Sequence, residues 1–118
     1  MARRRVGPYK VGEIPPPLTH TFKEKDGTRI DLTGCTAVAV VRLAGVEVEL
    51  PVTVAVDQSE GGGTRGDVTL TWSDGDIHSR GSGEIEFWTG DGTGDFRPAS
   101  DTFTFRVNRA VATTTPSL

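Results

Sequence analysis

The chain has 118 residues, is 35% hydrophobic, and carries Gly 15, Pro 7, one cysteine and a formal net charge of −3. A single domain of this size buries roughly two thirds of its unfolded surface, and so much glycine and proline suits many short strands joined by many turns. The lone Cys35 excludes an internal disulfide framework, the apolar run 37–41 is too short to span a bilayer, and no apolar segment follows Arg3, Arg4 and Arg5 to make a secretion signal.

The charge is unevenly spread. Residues 1–12 hold four basic residues (Arg3, Arg4, Arg5, Lys10) and no acid, leaving nine basic against sixteen acidic residues in the rest. An acidic body is a poor nucleic-acid binder, because phosphate contacts supply most of that affinity. A basic terminus of this kind reads as a solvated tail or as a hook onto an acidic neighbour, and the hook is preferred.

Residues 1–17 read as an extended arm. Gly7-Pro8, Gly12 and Pro15-Pro16-Pro17 oppose regular ladder pairing, and three successive prolines favour polyproline II. A first strand runs through Leu18, His20 and Phe22, closed by an Asp26-Gly27 turn, and Ile30 and Leu32 lead to a second turn at Thr33-Gly34. Thr36 to Leu43 is apolar on both faces and is expected at the centre of a sheet. Ala44-Gly45 then makes a tight hairpin into Val46–Val56, where Val46, Val48, Leu50, Val52, Val54 and Val56 alternate with Glu47, Glu49, Pro51, Thr53 and Ala55. Such a period of two predicts one face in the core and one in water; a helix would scatter the six aliphatics. Pro51 places that strand on an edge or beside a bulge.

A flexible connection is expected over 58–66, with Gly61-Gly62-Gly63 inside it. Val68, Leu70 and Trp72 form the next inward set, and 73–83 reads as a polar loop with at most one short helical turn over 73–79. Ile85 and Phe87 point inward from the following strand, opposite Glu84, Glu86 and Trp88. A glycine- and aspartate-rich connection covers 90–100, Phe103, Phe105 and Val107 enter the core, and 109–118 is a Thr/Pro tail. The pattern predicts an all-β, immunoglobulin-like sandwich of six to seven antiparallel strands over 18–108, with extended arms at both ends.

Chemistry-bearing residues are sparse. Ser82, between Gly81 and Gly83, lacks the strand–elbow–helix setting of a nucleophilic serine, and His78 reads as a surface loop residue. His20 falls on the apolar face of the first strand as a core or core-edge histidine. Two histidines and one cysteine, widely spaced, do not make a zinc site. Glu84 with Glu86, and Glu47 with Glu49, share strand faces, where protection against edge pairing is the simpler reading than acid–base work. Asp91-Gly92-Thr93-Gly94-Asp95 and Asp74-Gly75-Asp76 offer oxygens, but turn chemistry accounts for both. Trp88 has two readings of equal weight: an exposed aromatic at a protein contact, or a register break at Phe87-Trp88 that buries it in a second cluster.

The run Pro16-Pro17-Leu18-Thr19-His20-Thr21-Phe22, followed by Asp26-Gly27-Thr28-Arg29-Ile30-Asp31-Leu32-Thr33-Gly34, resembles the opening of the N-terminal domain of phage baseplate upper proteins. Gly66-Asp67-Val68-Thr69-Leu70-Thr71-Trp72, Asp76, Gly81 and Glu84-Ile85-Glu86-Phe87 resemble its later signature, so the likeness covers roughly residues 14–108. Two departures stand out: the chain stops at Leu118, and Gly83-Glu84-Ile85 replaces the family's Gly-x-Tyr pattern. The resemblance implies a non-enzymatic structural component of a tailed-phage virion, in the tail tip or baseplate or as an adaptor, assembled in the bacterial cytoplasm. Its partners would be other tail and baseplate proteins and further copies of itself, with no cofactor, no metal, no specific nucleic acid and no membrane insertion. Arg3, Arg4, Arg5, Pro15, Pro16, Pro17 and Trp88 are the expected subunit contacts. A capsid decoration protein and a carbohydrate-binding module, with Trp72 or Trp88 as stacking platform, are the alternatives.

Overall fold

The two-residue turn Ala44–Gly45, with φ of 51° and 81°, joins the two strands from which the sheet grows. Both dihedrals are left-handed, as the hairpin turn matching strand twist requires. In the computed structural model, which describes residues 2–90 and 96–109, seven strands follow in chain order. They are β1 (Ala2–Lys10), β2 (Leu18–Thr21), β3 (Thr36–Leu43), β4 (Val46–Val54), β5 (Asp67–Leu70), β6 (Gly81–Gly90) and β7 (Phe96–Asn108). They form one hydrogen-bonded sheet in the order β1-β7-β6-β3-β4-β5-β2. The doubly apolar β3 is central, between β6 and β4.

Laid flat, β2 would lie four strand spacings from β6, roughly 19 Å. Instead the His20 ring of β2 stacks on Phe87 of β6 with 5.4 Å between centroids, and meets Phe103 of β7 edge-on at 5.7 Å. The sheet therefore rolls over and closes its two ends on one another as an all-β, immunoglobulin-like sandwich. Ala39, Val68, Leu70, Ile85 and Phe87 are fully excluded from solvent between the layers. Gly83 lacks a side chain because the Phe105 ring lies where a Cβ would project.

The N-terminal segment departs from the expected free arm. Residues 2–10 form β1 and pair parallel with β7, so the sheet is mixed and not wholly antiparallel. Gly7-Pro8 does not prevent the ladder; it is absorbed as a bulge between Val6 and Tyr9. Beyond the bulge, Tyr9 is buried against Trp72 and Phe105, and burial of that aromatic is what holds the strand. Pro15, one of the expected contacts, is buried, whereas Pro16 and Pro17 are exposed. The tail from residue 110 and the Asp91–Asp95 loop lie outside the described residues.

The alternation in β4 also works differently from expectation. Its aliphatics do share one face, but only Leu50, Val52 and Val54 pack against the core. Val46 and Val48 remain 48% and 42% exposed, and Val56, past the strand end, is fully exposed. The reason is topological. β5 pairs with β4 only over Val52–Val54, so the half from Val46 to Leu50 has β3 on one side and an open edge on the other. Pro51 sits where the β5 ladder stops, and its missing N–H falls on the side where no strand follows.

Two loops hold core residues that polarity concealed. Gln58 is buried: its Oε1 accepts from Leu32 N at 2.9 Å and Gly66 N at 3.0 Å, and its Nε2 donates to Ala55 O at 2.7 Å. The expected flexible connection is therefore pinned at its start and end. Ile77, in the expected polar loop, is 1% exposed, while the turn before it is closed by Ser73 N donating to Asp76 Oδ2 at 2.7 Å.

Candidate functional site

Rolling one sheet into a sandwich gives it a convex outer side against which no second described sheet packs, although Thr102 on that side is buried and Val38, Val40 and Trp88 are half-buried. Along β6 the outward positions are Ser82, Glu84, Glu86 and Trp88, and each pairs in register with residues of the neighbouring strands. Trp88 lies between Val38 and Pro98, Glu86 between Val40 and Thr102, and Glu84 between Arg42 and Thr104. Val40, Arg42, Glu47, Glu84, Glu86, Trp88 and Thr102 line a shallow groove along this face.

Both readings of Trp88 meet here. It keeps the outward register, and the β6–β7 ladder shifts between Glu86 and Trp88, so the bulge falls beside it without turning it inward. The side chain is half-buried. Its Nε1 is shielded from solvent and has no hydrogen-bond partner among the described residues. What Trp88 offers a visitor is accordingly ring surface and not its N–H.

Electrostatics on the face centre on Arg42. Its Nη2 lies 2.7 Å from Glu47 Oε1, and the hydrogen bond to Glu47, then the charges of Glu47, Glu84 and Glu86, hold the guanidinium above its ordinary pKa. The pair is well exposed, so it orders the two side chains more than it stabilises the fold.

A second groove, of about 620 Å³, opens at the far end of the same face, lined by Arg5, Pro8, Arg42, Ser82, Glu84, Thr104 and Arg106 among others. It adjoins a smaller one holding Arg80 and Arg109, with Arg106 and Asn108 common to both. Arg80, Arg106 and Arg109 are not among the expected contacts, although the outward register of Arg106 between Phe105 and Val107 is visible in the sequence. Of the expected arginine contacts, Arg4 and Arg5 are exposed on β1. Arg3 pairs in register with Thr102, and its side chain lies outside the described residues.

The remaining candidates are not brought together. His20 is 6% exposed among Phe22, Phe87 and Phe103. His78 is exposed, with Nδ1 2.8 Å from Ser79 Oγ, while Ser82 faces Arg106 across the β6–β7 ladder. Cys35 is half-buried against the core edge. Among the described residues no three His, Cys, Asp or Glu side chains group as metal ligands.

No protein-family model matches the chain, and no curated protein matches it. Among solved structures it is similar to CopC from Methylosinus trichosporium OB3b, with a TM-score of 0.51 and 14% sequence identity over 92% of this chain and 86% of that one. The likeness bears on the fold. It also overturns the expectation of a tailed-phage tail or baseplate component: the comparison leads to CopC and not to a virion protein.

Proposed function

We propose that this domain is a non-catalytic protein-interaction module that docks the shallow groove on its outer sheet face, centred on Trp88, against another polypeptide surface. The observation that carries the reading is a half-buried tryptophan in the outward register of a central strand, lining a shallow groove with its N–H shielded. Tryptophan and arginine on one flat surface are the residue types that dominate binding energy at protein contacts. Glu84 and Glu86 stand on this open face and not in a water-excluding cleft, which suits charge complementarity better than proton transfer. At 14% identity the CopC likeness supports the architecture, and no ligand is carried over from it.

The first partner to test is a second copy, because an exposed sheet face can stack on its symmetry mate at about 10 Å. Sedimentation velocity over a concentration series is the measurement. A concentration-dependent dimer lost in both Trp88→Glu and Val40→Glu, with thermal melts unchanged, is the expected result. A monomer at every concentration overturns self-docking, and a dimer indifferent to both substitutions overturns this face.

A further inference from the structure

We infer that the arginine-lined groove at the β1–β7–β6 end of the convex face is a binding site for an extended acidic segment of a partner polypeptide. This site adjoins the Trp88 groove, with Arg42 and Glu84 common to both, and does not rest on the function proposed for that groove.

The two adjoining grooves present Arg5, Arg42, Arg80, Arg106 and Arg109 against a single lining carboxylate, Glu84, in a chain whose overall charge is −3. Arg42 is engaged by Glu47. The other four guanidinium groups make no ion pair with a described residue. Five guanidinium groups beside one lining carboxylate repel one another, and an anion that enters relieves this while gaining charge-assisted hydrogen bonds.

The backbone places Arg5 and Arg106 in successive rows of the sheet. Arg5 aligns with Thr104, and Arg106 lies two residues further along β7, opposite Ser82. Positions two apart on a strand are separated by roughly 6.8 Å. In an extended peptide, side chains two apart have the same separation, so carboxylates at alternate positions match successive arginine rows. The β1 bulge at Gly7-Pro8 falls opposite Arg106, and Pro8 forms part of the groove wall. Ser82, Thr104 and Asn108 add neutral hydrogen-bonding groups along the same floor.

A polypeptide fits better than a nucleic acid. Glu84 lies within the groove, where an unbroken line of phosphates would be driven against it. Carboxylates at intervals can straddle it.

The test is fluorescence anisotropy of the full chain with a labelled, end-blocked Glu-Thr-Glu-Thr-Glu-Thr peptide, the matching Lys-Thr peptide, and an oligothymidylate of equal charge. Saturable binding of the acidic peptide alone is expected, weakened about tenfold or more in Arg5→Ser/Arg106→Ser. It should persist in the charge-matched control Lys23→Ser/Lys25→Ser and in Trp88→Ala. Thermal melts of each variant verify folding. Absence of binding, equal loss in the lysine control, or oligothymidylate binding as tightly as the peptide each overturns the inference. Should the arginine variant fail to fold, neutralisation at exposed Arg80 and Arg109 gives the same readout.

Discussion

The Tyr9 ring of β1 meets the Trp72 indole at 62°, with 6.0 Å between their centroids. Tyr9 also lies 5.7 Å from Phe105, so one residue of the N-terminal segment closes an aromatic cluster built from β7 and the segment after β5. The contact makes β1 part of the domain and not an appendage to it.

Tyr9→Ala should therefore destabilise the fold by about 3–5 kcal/mol, the usual cost of deleting a buried aromatic. Removal of residues 2–12 should be worse, because it also strips the β7 edge. Denaturant titration measures both. Native-like stability in the truncated chain would show that the cluster does not need Tyr9, and would return residues 2–12 to the status of a dispensable arm.

The Tyr9 phenol has its pKa raised, first by burial and then by the Glu13 carboxylate. The folded state thus favours the neutral phenol. Its contribution is fully present below the ordinary tyrosine value of about 10 and is lost as pH rises through the higher folded value. Tyr9→Phe, which preserves the ring, should flatten the decline of melting temperature above about pH 10 relative to the parent. An identical alkaline slope in the two proteins would place the sensitivity elsewhere.

Gln58→Leu removes one acceptor that serves two backbone donors, Leu32 N and Gly66 N. Each buried donor left unsatisfied costs about 1–3 kcal/mol, so a substitution in a loop should behave as a core lesion. Hydrogen exchange is the sharper readout: the Leu32 and Gly66 amides should lose protection first. Retained protection at both would mean that water or another acceptor replaces Gln58.

The open β4 edge carries exposed Val46 and Val48 on one face and Glu47 and Glu49 on the other. Two such edges brought together antiparallel about Val48 would set Glu47 against Glu49, a like-charge contact that opposes pairing. Glu47→Val/Glu49→Val should leave the monomer melt little changed but produce concentration-dependent aggregation, followed by light scattering. A double variant as soluble as the parent would show that the glutamates do not guard this edge.

Much of the sheet was legible in the chain itself: the doubly apolar run 36–43, the Ala44–Gly45 turn, and the alternating inward sets Val68/Leu70, Ile85/Phe87 and Phe103/Phe105/Val107. A period of two is enforced locally by the backbone, so it survives in whatever sheet the strand joins. For Trp88 alternation left two readings open, the outward register and a register break, and the ladder to β3 decides for the first. Which strand lies beside which is not a local property. β1 carries Gly7-Pro8 and three arginines and lacks a strand's pattern; it is a strand because β7 offers an edge and the core offers Tyr9 a socket. Val46 and Val48 alternate perfectly yet stay exposed because β5 ends before reaching them. The arginines of the candidate groove, drawn from β1, β3, β7 and the residues just before β6 and just after β7, acquire common meaning only when the sheet order sets them side by side.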